Sequence, residues 1–355
     1  MSAEAAEAPI VVGILVPPEW FGREFERAVE SLEDLDPRVR VVAEPYLESH
    51  DLRSARGKPD ADERRDETPA LTEEQRAAFA RVDVVLALDL PFDIATIAPR
   101  LAWVQAVGAG TAQLQSAGLG PAGIRLTSAA GVNAVGIAEF ALGRVLAHWK
   151  RFRDFDAAQV LHVWEPVYGR QLAGSTLGLI GLGEINAAVA ARATAFDVQV
   201  LATRRSATPG ATAPNVDALF APPALLEMLG RCDAVIAAVP ETPETTGIMD
   251  REAFAAMPEG AFFCNVGRGS LVDEDALIEA LRSGRLGGAA LDVTSVEPLP
   301  PEHPLWDAPN LQLSPHAAAS PAAMFVNLIR LFRDNLARYL ADTPLHHEVD
   351  LTRGY

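Results

Sequence analysis

Over the first hundred residues, short apolar runs at 10–16, 39–43, 82–88 and 102–107 alternate with stretches of helical periodicity such as 23–32. Runs of that length rich in β-branched residues read as strands buried on both faces, and their alternation with helices predicts parallel α/β layers. Between 48 and 74 the pattern stops. That stretch is polar, charged and Pro-containing, and predicts a surface excursion or partly disordered loop, with a functional lid as the alternative. Residues 131–152 read as one long helix, apolar on most faces and so buried on most faces, with Asn133 near its start. From Thr176 the order becomes strand (176–180), Gly-rich turn, helix (184–196) and strand (198–202). Further strands follow at 234–239, 261–266, 287–293 and 311–313, with helices at 273–283 and 322–340. The second series predicts a doubly wound sheet that takes its ligand across the carboxyl ends of the strands.

A length of 355 residues fits two domains with ample core. No apolar run reaches the ~18 residues of a membrane span, and the acidic start M-S-A-E-A-A-E-A-P lacks the basic region of a signal peptide. Two cysteines, Cys232 and Cys264, are too few for a disulfide framework and suit a reducing, cytoplasmic setting. Cys264, inside an apolar strand, reads as a core filler. A net charge of −18 argues against nucleic acid or anionic membrane as partner. Of the 30 basic residues only Lys58 and Lys150 are lysines, and neither lies near a motif, so Schiff-base chemistry has almost no candidate.

The turn after the strand at 176–180 reads G-L-G-E-I-N, from Gly181 to Asn186. Strand before, helix after and a second strand about twenty residues on is the context a dinucleotide fingerprint needs. Gly181 permits the tight turn, and Gly183, with Glu184 and Ile185 opening the helix, lets a pyrophosphate approach the helix N-terminus. The third position is Asn186 rather than Gly or Ala, so it must be accommodated by Ala187 and Ala188 or shift the helix outward. At the end of the next strand, where an NAD enzyme carries an acid for the ribose hydroxyl, this chain has Thr203, Arg204, Arg205 and Ser206. Asp197 precedes the strand and lies at its wrong end. Two guanidiniums and two hydroxyls suit a 2′-phosphate, which predicts NADP(H), with NAD(H) as the weaker option.

Downstream stand Arg268 in C-N-V-G-R-G, Glu297 in E-P-L-P and His316 in S-P-H. Arg supplies a planar fork that matches a carboxylate bidentately. His exchanges its proton near neutral pH, and a carboxylate behind it fixes its tautomer. Gly267 and Gly269 flank the Arg, prolines fix the loop after Glu297, and three alanines leave room beside His316. His162, His303, His346 and His347 lack such surroundings and read as surface residues. Gly108, Ala109 and Gly110 follow the strand at 102–107 and form an anion nest of backbone N–H groups.

These segments together, from about Trp103 to His316, resemble the D-isomer-specific 2-hydroxyacid dehydrogenase family, especially its glyoxylate/hydroxypyruvate reductase-like branch. The resemblance implies an α/β chain of two doubly wound parallel-sheet domains. A Rossmann cofactor domain (105–316) is inserted in a discontinuous flavodoxin-like substrate domain (1–104 and 317–355). It also implies that Gly108 to Gly110 and Arg268 hold a substrate carboxylate. By the same resemblance Pro240 and Thr245 would border the nicotinamide ribose, Val266 and Gly267 would lie beside the cofactor, and Asp292 would accept from the carboxamide. His316, paired with Glu297, protonates the carbonyl of a small 2-oxo acid as hydride arrives, with no metal required. The resemblance further implies that the helix at 131–152 packs at the interface of a homodimer and beside the cofactor; Glu139 and His148 on it read as structural rather than catalytic. Corepressors and formate or phosphite dehydrogenases share the resemblance. The −18 charge and lack of a basic tail disfavour the first, and Glu297, where the formate enzymes carry Gln, disfavours the second.

Overall fold

β-branched and aliphatic runs become strands wherever both of their faces can be covered. The computed structural model describes residues 8–58, 60–208 and 210–351. Contacts divide the chain into two compact units, Met1–Val132 with Pro321–Tyr355, and Asn133–Ser320.

In the first unit β1 (Ile10–Ile14), β2 (Val39–Ala43), β3 (Val84–Ala87), β4 (Trp103–Ala106) and β5 (Arg125–Thr127) form one parallel sheet in the order β2-β1-β3-β4-β5. That is the flavodoxin-like winding. Strands β3 and β4 are buried at every position. The helix Pro321–Leu340 closes one face, with Leu328, Phe332 and Leu336 buried and Phe332 packed 5.4 Å from Trp103, centroid to centroid.

The second unit has seven parallel strands: β6 (Thr176–Ile180), β7 (Gln199–Thr203), β8 (Ala218–Phe220), β9 (Ala234–Ala237), β10 (Ala261–Asn265), β11 (Leu286–Leu291) and β12 (Leu311–Leu313). Their order, β12-β11-β10-β9-β6-β7-β8, reverses direction between β6 and β9. That switch point is where a doubly wound sheet opens a crevice for a nucleotide. Alternate residues of β9 feed two cores, Ala234 and Ile236 into one, Val235 and Ala237 into the other. Each fully buried aliphatic or aromatic side chain contributes about 1.5–3 kcal/mol, so a central strand such as β10, buried at all five positions, is fixed in register by both cores.

Several expectations change. The unit boundaries fall at 132/133 and 320/321 rather than 104/105 and 316/317. A cut at 104 would split β4, and β5, only three residues long, pairs with β4 and keeps the intervening chain in the first unit. Within 48–74 the described residues form the helix His50–Arg56, capped by Ser49, and a 3-10 turn at Ala61–Glu67. The Arg56 side chain is 1% exposed, paired with buried Glu48, hydrogen-bonded to Leu90 O and Ser116 Oγ, and stacked over Phe92. Arg53 forks onto buried Asp89. Burial pushes the Glu48 carboxyl upward against the pull of Arg56. Charge, which suggested solvent, here marks an internal ion-pair network.

The predicted long helix spans Ala134–Trp149 and breaks at Arg151, whose φ is +61°. Its Ala138, Ala141, Leu142, Val145 and Trp149 are buried, while Val135, Glu139 and Gly143 are exposed along one stripe. A second helix, Phe152–Leu161, has no buried residue. Beyond it the chain exposes Val163, Val167 and Tyr168, and Trp164 is 99% exposed.

Candidate active site

Three neighbouring strands carry the predicted trio. Arg268 follows β10, Glu297 lies beyond β11 and His316 follows β12, and these strands stand side by side in the sheet. Adjacent strands are about 4.8 Å apart, so side chains on the loops at their carboxyl ends can meet.

His316 Nδ1 lies 2.9 Å from Glu297 Oε2. An ionised carboxylate only accepts, so Nδ1 carries the shared proton and Nε2 is the nitrogen left to face a reactant. Glu297 is itself held, because Thr294 N–H donates to its Oε1 at 3.1 Å. The peptide between Glu297 and Pro298 is cis. His316 has φ of +51°, a left-handed conformation that costs a non-glycine residue about 1–3 kcal/mol. Asp292 supplies the constraint. Its Oδ1 accepts from Ser314 Oγ at 2.6 Å and Ala317 N–H at 2.9 Å, its Oδ2 from Ala318 N–H at 3.0 Å, and its backbone carbonyl from His316 N–H at 2.8 Å. The carboxylate expected at the nicotinamide carboxamide is 3% exposed and holds the His316 loop.

The Arg268 turn is shaped by a residue the sequence did not single out. Asn265, fully buried at the end of β10, donates from Nδ2 to Arg268 O at 2.8 Å and accepts from Gly267 N–H at 3.0 Å. The Arg268 guanidinium is exposed and reaches Gly267 O from Nη1 at 2.8 Å. The flanking glycines permit close backbone approach. A Cβ on Gly269 would overlap the backbone of Thr294 and Ser295, and one on Gly267 would press on Val239 O and Leu271 at 3.0 Å. Val266 and Gly267 are buried beneath this turn.

At the switch point the turn after β6 bends through Gly181, φ +81°, where a Cβ would overlap the Val239 side chain. Gly183, which precedes the helix Glu184–Ala193, has open space where its Cβ would be. Open space at a helix N-terminus, with first-turn N–H groups lacking helical partners, fits a pyrophosphate. Glu184 and Ile185 lie in that first turn. Asn186 neither shifts outward nor relies on small neighbours: it is fully buried, with its amide donating to Ile180 O at 3.0 Å and Gly181 O at 2.6 Å. Thr203 also departs from expectation, being buried with its hydroxyl accepting from Gly181 N–H at 2.8 Å. Arg204, Arg205 and Ser206 are exposed, and Arg205 acts electrostatically on Glu244. After β9, Thr245 Oγ1 donates to Pro240 O at 2.7 Å and accepts from Thr242 N–H at 2.8 Å, which fixes that loop.

In the first unit, Gly108, Ala109 and Gly110 follow β4, with Ala109 and Gly110 exposed and nothing within 4 Å of where a Gly110 Cβ would sit. Cys264 and Cys232 are fully buried free thiols, pushed up to about 12 by burial, consistent with core filling. His162, His346 and His347 are exposed. His303 instead is partly buried, with its Nε2 3.6 Å from Glu274 Oε2. Among the described residues, no helix is long and apolar enough to cross a membrane.

The profile of the D-isomer specific 2-hydroxyacid dehydrogenase, NAD binding domain, matches residues 142–318. The chain is 33% identical over 251 residues to D-3-phosphoglycerate dehydrogenase of Mycobacterium leprae (strain TN), a match covering 69% of this chain and 47% of that protein. It thus spans about half the length of that curated relative. Among solved structures, a D-isomer specific 2-hydroxyacid dehydrogenase from Xanthobacter autotrophicus Py2, in complex with NADPH and MES, is 29% identical with a TM-score of 0.73, over 98% of this chain and 100% of that one. A probable 2-hydroxyacid dehydrogenase from Rhizobium etli CFN 42, in complex with NADP, HEPES and L(+)-tartaric acid, is 26% identical with a TM-score of 0.71, over 98% and 99%. An NADPH-dependent glyoxylate/hydroxypyruvate reductase from Sinorhizobium meliloti, in complex with NADP and sulfate, is 26% identical with a TM-score of 0.70, over 98% and 100%.

Proposed function

Because the chain belongs to the D-isomer specific 2-hydroxyacid dehydrogenase family, we propose that it reduces a small 2-oxo acid, of the glyoxylate or hydroxypyruvate kind, to the D-2-hydroxy acid with NADPH. The observation that carries this reading is the 2.9 Å contact between His316 Nδ1 and Glu297 Oε2, made by a histidine in a left-handed backbone conformation. What sets His316 apart is its bracing: four hydrogen bonds to Asp292 hold its loop, and Glu297 holds its ring.

In this mechanism Arg268 receives the substrate carboxylate on its fork and draws electron density from the adjacent carbonyl. His316 donates the Nε2 proton to the carbonyl oxygen, while Glu297 stabilises the ring and fixes its tautomer. A placed general acid contributes about 10²–10⁴-fold. The dinucleotide, when bound, supplies the hydride. It would be held by the N–H groups around Gly183, Glu184 and Ile185, the loop bearing Pro240 and Thr245, and the surface of Val266 and Gly267. Arg204 and Arg205 would meet the 2′-phosphate, so NADPH is preferred and NADH is the weaker substrate.

The exposed apolar arm at 152–168 supports a homodimer through the cofactor unit, since a helix with no buried residue has little to stabilise it alone. A cytoplasmic setting agrees with the two free thiols.

NADPH consumption measured against glyoxylate, hydroxypyruvate, pyruvate and phenylpyruvate tests the reading. Turnover with at least one of these supports it. Nucleotide binding without turnover on any would favour a nucleotide-sensing protein, and NADP reduction by formate or phosphite would favour those dehydrogenases.

A further inference from the structure

Two buried side chains grip one residue of the turn after β6, Gly181, through the two peptides that flank it. Gly181 N–H donates to Thr203 Oγ1 at 2.8 Å, and Gly181 O accepts from Asn186 Nδ2 at 2.6 Å. The Asn186 amide also reaches Ile180 O at 3.0 Å and Ile236 O at 3.5 Å, bridging the carboxyl ends of β6 and β9 at the switch point. A glycine or alanine at this third fingerprint position makes no such contact.

Two consequences follow from peptide geometry. In a trans peptide C=O and N–H point in opposite directions, so drawing Gly181 O inward onto Asn186 turns Leu182 N–H toward the other side of the turn. The Gly181 N–H is meanwhile taken by Thr203 and withdrawn from any ligand. Asn186 Oδ1 is buried without a partner. A buried acceptor left unpaired is destabilising, so packing alone does not account for an amide at this position.

We propose that Asn186 and Thr203 form a clamp that sets the phosphate-facing turn before the nucleotide arrives. They are positioning residues for the pyrophosphate, and the choice between NADPH and NADH is left to Arg204 and Arg205. The donors presented to the pyrophosphate are then the N–H groups of Leu182, Gly183 and the first helical turn. The proposal rests on the nucleotide reading given above.

Titration of the full chain with NADPH and NADH, followed by nucleotide fluorescence, tests it. Asn186→Gly and Thr203→Val should each raise both dissociation constants by about tenfold, the size of one lost hydrogen bond. The ratio between the cofactors should not move, and kcat at saturating NADPH should fall far less than the affinity. Thr203→Ser, which keeps the hydroxyl, should restore wild-type affinity. Should Asn186→Gly fail to fold, the near-isosteric Thr203→Val and Thr203→Ser pair decides alone. Wild-type affinity in the folded variants, or a changed cofactor ratio, overturns the clamp while leaving the nucleotide reading intact. A wild-type chain that binds neither nucleotide overturns both.

Discussion

Asp292 accepts the Ser314 hydroxyl at 2.6 Å, the shortest of the bonds by which its carboxylate organises the loop that carries His316. Replacing Asp292 by Asn puts an NH2 group against backbone donors. The expected result is a loss of about 1–3 kcal/mol of stability together with a fall in kcat, because His316 loses its fixed backbone. Steady-state kinetics distinguish this from a role confined to the nicotinamide, which would raise the KM for NADPH and leave kcat in place.

His316→Asn should lower the reduction rate by about two orders of magnitude or more while NADPH still binds. Retention of most of the activity would move proton donation elsewhere. Arg268→Lys keeps the charge and loses the fork. It should raise the KM for the oxo acid strongly, and an unchanged KM would remove Arg268 from the substrate site.

Arg204 and Arg205 should favour NADPH over NADH by one to three orders of magnitude, since a charge-assisted hydrogen bond contributes about 1.5–3 kcal/mol and about 1.4 kcal/mol is tenfold. Both side chains are exposed, so added salt should erode the preference. Neutralising both should bring the two catalytic efficiencies together. A wild-type preference for NADH would show that the arginines point away from the ribose. Because Thr203 is buried and engaged by Gly181, an acid placed there would disrupt the turn rather than redirect specificity.

His148 stacks on Phe262 at 4.8 Å between centroids, and burial, aided by the charge of Arg151, holds its imidazole below the ordinary 6.5. The folded protein therefore favours the neutral ring. Stability from this site is present above about pH 6.5 and is lost as pH falls through the depressed value. Thermal unfolding midpoints between pH 5 and 8 should decline on the acid side. His148→Phe, which keeps an aromatic ring on Phe262 and cannot titrate, should flatten that decline.

The apolar arm offers a separate test. Trp164→Glu combined with Leu161→Glu should convert a dimer to a monomer in light scattering, without unfolding, because neither side chain is buried within its own chain. A wild-type monomer, or a variant that stays dimeric, would remove the arm from the interface.

Much of the architecture was legible because central parallel strands need apolar residues on both faces, and runs such as 234–239 and 261–266 announce that directly. Strands β5 and β8, three residues each, carry too little pattern to register. The burial of Arg56 could not be read locally, since its guanidinium is satisfied by Leu90 and Ser116, far along the chain. Arg268, Glu297 and His316 stood out because glycines, prolines and alanines surround them. Asn265 and Ser314 did not, as a short polar residue ending or following a strand is commonplace. Asn186 showed as an anomaly, but its partners, carbonyls on two different strands, exist only in the folded sheet.

At Gly269 the turn after β10 lies directly on the backbone of Thr294, with no side chain between them. Bare main chain against bare main chain leaves no compliant padding, and close-packed matter of this kind transmits displacement. The mount of the Arg268 fork and the stretch leading to Glu297 therefore share one datum, and a disturbance at either is felt by both. Even one methyl group there would act as a wedge, prising apart two parts that work only at fixed spacing.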